Sequence, residues 1–177
     1  MNAAVLVATG VNADGHREVL GVKVATSETR AALNRFLADL VARGLPGVML
    51  VTSDAHAGLV EAIAANLPGA AWQRCRTHCA AKLMSVCPRS AWGAVKALLR
   101  SVYDQPDATA VHAHYDKMLD TLTGKLPDVV DHRDAARADL LAFTSFPKAM
   151  ATDLVQQTQR APQPRDPASH RRRRHLP

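Results

Sequence analysis

The chain has 177 residues, 47% of them hydrophobic, which is enough for one domain with a buried core. Its apolar runs are too short to span a membrane and its start lacks a secretory signal pattern, so a cytoplasmic protein without membrane contact is expected. The three cysteines are an odd number, which argues against a disulfide framework and predicts free thiols.

The net charge of +6 is unevenly distributed along the chain. Residues 1–150 hold 16 Lys and Arg against 14 Asp and Glu, whereas residues 151–177 hold 6 against 2, mostly in the run Arg171 to Arg174. A basic tail of this kind can bind nucleic acid by neutralising phosphates. By this count the body of the chain carries no strong electrostatic signal of nucleic-acid binding.

The first elements predicted are a β-hairpin and a helix. Residues 3–8 and 18–24 are rich in strand-forming residues and flank Asn12-Ala-Asp-Gly15, a turn signal, which together predict an antiparallel hairpin. In that setting Asp14 is expected to serve the turn rather than catalysis. Ser27-Glu-Thr-Arg30 then provides a cap for a helix that stops near Gly44.

A buried strand is predicted next, over residues 48–53, and it ends on Asp54. In open α/β sheets, ligand chemistry collects just beyond the carboxyl ends of the strands. Asp54 is therefore a candidate catalytic or metal-binding acid. The alternative is that Ser53 or Asp54 only caps the helix that follows.

The rest of the chain predicts one more short strand and then helices. A helix is expected over 56–66, a strand over 70–74, and helices throughout 76–143. Breaks between those helices are expected at Pro88, Gln105-Pro106 and Gly124 to Pro127.

Two motifs carry a resemblance to a known family. Thr52-Ser-Asp54-Ala-His-Ala-Gly-Leu59 and Trp72-Gln-Arg-Cys75-Arg-Thr-His78 resemble the central block of the Mutator-type insertion-sequence transposases, where S-D-x-H-x-G-L is followed by W-Q-x-C-x-x-H. Upstream, Gly10-Val-Asn-Ala-Asp-Gly15-His-Arg-Glu-Val-Leu-Gly21 is similar to the family's G-V-N-x-D-G-x-R-E-V-L-G hairpin. The resemblance covers about residues 1 to 149.

This resemblance implies an α/β, ribonuclease H-like fold whose Asp-Asp-Glu triad cleaves and joins DNA, with Asp54 in the place of the second Asp. Mg²⁺ or Mn²⁺ would be the cofactor, since hard cations prefer carboxylates, and two such ions can serve phosphoryl transfer. The implied organisation is a partial catalytic core over 1–75, a helical insertion over 76–149 and a disordered basic tail over 150–177. Element-end and target DNA are the implied partners, with self-association or binding to full-length transposase possible and a nucleoid location when DNA is bound.

Other side chains near these motifs are open to two interpretations. Cys75 and His78 are implied neighbours of the active centre, and His56 either orients a substrate phosphate or lies in solvent. Arg74 and Arg76 either contact DNA phosphate or occupy solvated surface positions.

A zinc site is the alternative for Cys75, His78, Cys79 and Cys87, which lie within thirteen residues of one another. We expect no zinc, because the spacing is not that of a closed site. Helical periodicity instead predicts that the first three share one face, with the histidine satisfied in the core.

Departures from the family pattern predict an inactive fragment. The strand with the family's first Asp and the segment with its Glu have no counterpart here, so the chain would hold one acid of three and would be marginal or aggregation-prone. Codons can be chosen for residues 150–177 such that the same nucleotides, translated one base later, encode a sequence that resembles the family's N-x-x-E-R-L-N continuation. This predicts that the tail is the product of a frameshift. The alternative function is a non-catalytic DNA-binding or transposase-interfering protein.

Overall fold

The computed structural model describes residues 3–12, 14–27 and 29–147. Strands β1 (Ala4–Val11) and β2 (Arg17–Ala25) pair antiparallel, which confirms the predicted hairpin. In the turn, the side-chain oxygen of Asn12 accepts the backbone N–H groups of Asp14 and His16. Gly15 has a φ of +79°, a value that glycine adopts without steric cost.

Helix α1 (Arg30–Ala42) follows the hairpin and covers it. It begins where predicted, because the Thr29 hydroxyl accepts the backbone N–H of Ala32 at 3.2 Å and so satisfies a free helix donor. Its buried residues recur at helical spacing and form one apolar stripe; they are Leu33, Phe36, Leu37 and Leu40. The helix ends just before Gly44, which has a φ of +93°.

A β–α–β unit comes next. Strand β3 (Leu50–Ser53) leads into helix α2 (Ala57–Asn66), and strand β4 (Ala71–Arg74) returns parallel to β3, with Ser53 opposite Arg74. The two strands therefore end at the same edge, with Asp54 directly after one of them.

In the part of the chain that the structure describes, the strands form two separate two-stranded sheets, β1–β2 and β3–β4. Both pack against α1 and α2 in one hydrophobic cluster that includes Leu6 from β1, Phe36 from α1 and Ile63 from α2, with Val51 and Trp72 packed alongside. The predicted mixed α/β class is confirmed.

The remaining described residues are helical, with breaks at the predicted points and a further, unpredicted one at Ala135 and Ala136. The helices are α3 (Arg76–Val86), α4 (Trp92–Tyr103), α5 (Ala108–Thr123), α6 (Pro127–Asp134) and α7 (Arg137–Leu140), with 3₁₀ turns at Arg89–Ala91 and Ala142–Ser145. They enclose a second hydrophobic cluster, centred on Leu83, Val102 and Tyr115. The predicted disordered tail, residues 150–177, lies outside the described residues.

The outer face of the hairpin is apolar and exposed. Val5 lies opposite Val24, and Val7 lies opposite Val22, on the side of the hairpin that faces away from α1. With Val19, these side chains are 56% to 67% exposed. In the described part of the chain, no helix has the length and apolar character required to cross a membrane.

Candidate active site at the end of the parallel strands

The parallel pairing of β3 and β4 brings the two sequence motifs together. The backbone N–H of Cys75 donates to the Ser53 carbonyl at 2.7 Å, so the pairing continues to the last residue before Asp54. The indole N–H of Trp72 donates to the Ser53 hydroxyl at 2.9 Å, which ties the strands together by side chains as well. The edge therefore has a fixed backbone, as a catalytic acid requires.

Asp54 has few partners at this edge. It is half-buried, and among the described residues its carboxylate accepts one long hydrogen bond, 3.4 Å, from the backbone N–H of His56. His56 is the N-cap of α2 and makes no side-chain capping bond. The capping alternative for Asp54 thus has weak geometric support, and its carboxylate oxygens remain available to a ligand. Two residues earlier, the Thr52 hydroxyl is buried and has no hydrogen-bond partner within the described part of the chain.

The side chains at this edge can provide one ligand for a magnesium ion but do not form a complete metal site. Mg²⁺ prefers carboxylate oxygens, and Asp54 offers two of them. Among the described residues, however, no three His, Cys, Asp or Glu side chains are grouped so that they could hold a metal. Asp54 is a ligand of the type that Mg²⁺ prefers, but the described residues do not form a three-ligand site around it.

The second motif is arranged differently from the prediction. Cys75 is half-buried and precedes α3 as its N-cap, Cys79 is buried and His78 is exposed. The predicted core position of His78 is therefore wrong. Adjacent helical residues point about 100° apart, so His78 faces solvent while Cys79 faces the core. Cys87 is also buried, and all three cysteines are free.

The two arginines of this motif contact protein groups. Arg74 makes an ion pair with Asp139 at 2.8 Å. The Arg76 guanidinium lies 4.0 Å from the centre of the Tyr103 ring and 4.2 Å from that of Phe143. Burial, opposed by Tyr103 and Asp104, lowers the pKa of Arg76. A role of these arginines in DNA contact stays a prediction.

Gln73 is a further residue at this edge, and it was not singled out from the sequence. Its side chain is buried, donating to the Leu140 carbonyl at 2.8 Å and accepting the backbone N–H of Phe143 at 2.9 Å. The signals for it were its place in the W-Q-x-C-x-x-H motif and a polar residue between Trp72 and Arg74 in a short strand, but its partners lie far along the chain. Gln73 fastens the end of the helical region to β4.

Behind the edge lies a buried arginine. Arg133 donates to the sulfur of Cys79 at 3.0 Å and to the Tyr103 hydroxyl at 3.3 Å, while its Nε has no partner among the residues described. Its backbone carbonyl accepts the Tyr115 hydroxyl at 2.8 Å. This network connects α3, α4, α5 and α6. The neighbouring His132 has a lowered pKa, chiefly through burial and also through Arg133, Arg74 and Lys82.

Comparison with known proteins identifies the family. The family model described as Transposase, Mutator family, matches residues 1–159, ten residues beyond the expected end of the resemblance. The transposase for insertion sequence element IS1081 of Mycobacterium tuberculosis is 64% identical over 143 residues, which cover 81% of this chain and 34% of the relative.

Two other relatives are more distant. The transposase for IS406 of Burkholderia multivorans is 37% identical over 150 residues, covering 84% of this chain and 39% of the relative. The transposase for ISRM5 of Rhizobium meliloti is 37% identical over 148 residues, covering 84% and 37% respectively. The chain thus spans between 34% and 39% of the length of these relatives. With most of its length matched by the family model, the chain belongs to the Mutator family of transposases.

Proposed function

We propose that this chain forms part of the catalytic core of a DNA transposase and that Asp54 is one of its metal-binding acids. The single observation that carries the proposal is the position of Asp54. It directly follows β3 at the shared end of two parallel strands, and within the described ranges its carboxylate accepts one hydrogen bond, of 3.4 Å. The relatives named above are insertion-sequence transposases, which supports DNA as the substrate.

We further propose that residues 1–75 form a partial ribonuclease H-like core. The order hairpin, helix, strand, helix, strand supports this assignment, as does the packing of both sheets against α1 and α2. Residues 76–149 would then be a helical insertion within that core.

Each residue at the edge has a role in this proposal. Asp54 would bind Mg²⁺ or Mn²⁺, and such ions activate a water or 3′-hydroxyl nucleophile and stabilise the leaving oxygen. Trp72 and Ser53 hold β3 against β4 through their hydrogen bond, so the backbone that carries Asp54 is fixed. His56, two residues on and at the start of α2, would lie next to the bound phosphate.

We expect the chain to be inactive in strand transfer on its own, since no cluster of acids accompanies Asp54 in the described residues. Incubation with Mg²⁺ or Mn²⁺ and the element-end DNA of a relative should therefore yield no cleaved or joined products. Robust cleavage that disappears in Asp54→Asn would overturn the expected inactivity.

Binding of Mn²⁺ tests the role of Asp54 without requiring activity. The paramagnetic ion should broaden the amide resonances of residues 53–56 in nuclear magnetic resonance spectra, and Asp54→Asn should abolish that broadening. Asp120→Asn is the matched control, because Asp120 is an exposed carboxylate on α5. Broadening that is centred elsewhere, or that survives in Asp54→Asn, would overturn the assignment.

A further inference from the structure

A long stretch of the chain contains no acidic residue. Between Glu61 and Asp104 there are six Lys and Arg and no Asp or Glu, and the chain as a whole has a net charge of +6. Residues 1–150 are nearly neutral overall because the carboxylates are concentrated before and after this segment. The segment covers β4, α3 and α4.

The cations of this segment fall into two groups. Arg74 and Arg76 contact protein groups at the edge near Asp54. The other four are exposed to solvent; they are Lys82, Arg89, Lys96 and Arg100.

Three of the exposed cations lie along α4 and the turn before it. Lys96 and Arg100 are one helical turn apart and line a shallow groove of about 380 Å³. The groove is also lined by the small residues Gly93, Ala97 and Ser101, and Asp104 lies at its end. Small residues on the exposed side let an extended partner approach the helix backbone closely.

The indole ring of Trp92 connects the third cation to this surface. The Arg89 guanidinium lies 6.0 Å from the centre of that ring, and the Lys96 ammonium lies 5.3 Å from it. We refer to the surface formed by Arg89, Trp92, Gly93, Lys96, Ala97 and Arg100 as the basic groove.

The cations of the basic groove have no acidic partner within the described residues, whereas Arg30, Arg43 and Arg137 each form an ion pair there. Like charges one turn apart on a helix repel each other, and Lys96 and Arg100 are such a pair. A row of anions along α4 would relieve this repulsion. A 12-residue helix is about 18 Å long, which several consecutive phosphates of a nucleic-acid strand can follow.

The basic groove is also connected to the candidate active site. Tyr103, the last residue of α4, packs its ring against Arg76, which begins α3 directly after β4 and Cys75. A partner that follows α4 towards its C-terminal end therefore approaches the edge that carries Asp54.

We propose that the basic groove binds the phosphate backbone of duplex DNA and leads it towards the edge with Asp54. This proposal rests on the proposed function, because it takes DNA as the substrate. Arg89, Lys96 and Arg100 each neutralise a phosphate, and the contact is independent of base sequence.

Fluorescence anisotropy with a labelled duplex tests the proposal on the full chain, in EDTA and over a range of salt concentrations. The test variant combines Arg89→Gln, Lys96→Gln and Arg100→Gln. Each phosphate contact contributes about −0.9 to the slope of log affinity against log salt concentration. Loss of three contacts should therefore make the slope less steep by about 2.7 and lower the low-salt affinity by about tenfold or more.

The matched control combines Arg35→Gln, Lys117→Gln and Lys125→Gln, which removes the same charge from exposed cations elsewhere. It should leave the slope nearly unchanged. A second variant with Arg171 to Arg174 replaced by Gln measures binding through the tail. Circular dichroism melting of each variant establishes that it folds like the unaltered chain.

Several outcomes would overturn the proposal. These are no duplex binding at low salt, an equal loss in the control variant, or a loss confined to the tail variant. Preference for polyglutamate over DNA would also overturn it, because an acidic protein would then be the partner. Duplex binding is measured in EDTA, whereas the Asp54 assignment is tested by Mn²⁺ broadening, so failure of the metal assignment and failure of this proposal are distinguishable.

Discussion

The Gln73 side chain donates a 2.8 Å hydrogen bond to the backbone carbonyl of Leu140, 67 residues further along the chain. The same amide accepts the backbone N–H of Phe143 at 2.9 Å. Because Gln73 is only 1% exposed, solvent cannot replace either bond. One side chain thus holds the end of the helical region against the strand that ends beside the candidate active site.

Replacement of this glutamine should be costly for stability. Gln73→Leu keeps most of the volume but leaves the Leu140 carbonyl and the Phe143 N–H buried without partners. Each unsatisfied group costs about 1–3 kcal/mol, so the free energy of unfolding should fall by roughly 2–6 kcal/mol for the two together. Urea denaturation followed by circular dichroism measures this change.

The control for this prediction is Gln105→Leu. Gln105 is half-buried at the end of α4 and makes one described hydrogen bond, to the Ser101 carbonyl. Because water can reach that carbonyl once the amide is removed, the loss should be below about 1 kcal/mol. Equal losses in the two variants would show that Gln73 has no special anchoring role.

Tyr115 should make stability depend on pH in the alkaline range. Burial is the largest cause that raises its pKa, from 10.0 to about 12. The folded state then holds the phenol proton more tightly than the unfolded state does. This contribution to the free energy of unfolding is fully present below pH 10 and is lost as the pH rises towards 12, by about 2–3 kcal/mol in total.

Tyr115→Phe should remove most of this alkaline dependence. It should also cost about 1–2 kcal/mol near neutral pH, because the Arg133 carbonyl loses its hydrogen bond from Tyr115. Urea denaturation at several pH values measures both effects, with Tyr103→Phe as the control. The assignment fails if Tyr115→Phe retains the full alkaline loss of stability.

The parts of the fold that the sequence predicted are those with local signals. The hairpin follows from a turn in which the Asn12 side chain accepts the backbone N–H of Asp14 and Gly15 adopts a positive φ. Helix α1 begins at Arg30 because the Thr29 side chain caps it by accepting the N–H of Ala32. The strand before Asp54 was also predicted, since a short apolar run ending on an acid is visible within ten residues. These signals need no knowledge of distant contacts.

The contacts that complete the site are distant in sequence and were missed. Gln73 meets Leu140, and Arg76 packs between the Tyr103 and Phe143 rings, and no local pattern links those positions. His78 was expected in the core because helical spacing predicted that it lies on the same face as Cys79. The two residues are adjacent and point in different directions, so His78 faces solvent. The metal, the domain boundaries and the frameshifted tail remain predictions.

The exposed valine face of the hairpin should promote self-association. Val7 and Val22 lie opposite each other on that face, and exposed apolar patches on strands are sites of association. The double variant Val7→Thr and Val22→Thr keeps strand propensity while adding hydroxyls. It should lower the average mass measured by light scattering at high protein concentration, with little change in melting temperature.

The control for the valine face is Val86→Thr, at a valine that is 44% exposed at the end of α3 and distant in sequence from the hairpin. This single change should leave the scattering unaltered. A chain that remains monomeric at all concentrations before any substitution would contradict the prediction.

Arg133 should contribute little net stability although it is among the most buried side chains. Its hydrogen bonds go to Cys79 and Tyr103, and neither partner is a carboxylate. Burial alone lowers its pKa but the surrounding Tyr103, Cys79 and Tyr115 raise it overall, so the guanidinium stays charged inside the helical region. Removing such a charge from water costs several kcal/mol, which hydrogen bonds to uncharged groups repay only in part.

Arg133→Met should therefore change the free energy of unfolding by less than about 1 kcal/mol, or raise it, because a flexible apolar side chain fills the space without the desolvation cost. Arg133→Ala should lower it by about 3 kcal/mol through the cavity it leaves. Urea denaturation of both variants separates the contribution of side-chain packing to the free energy of unfolding from that of the buried charge. If the methionine variant lost as much as the alanine variant, the guanidinium bonds would be the net stabilising element, and the buried charge would be a structural necessity rather than a cost.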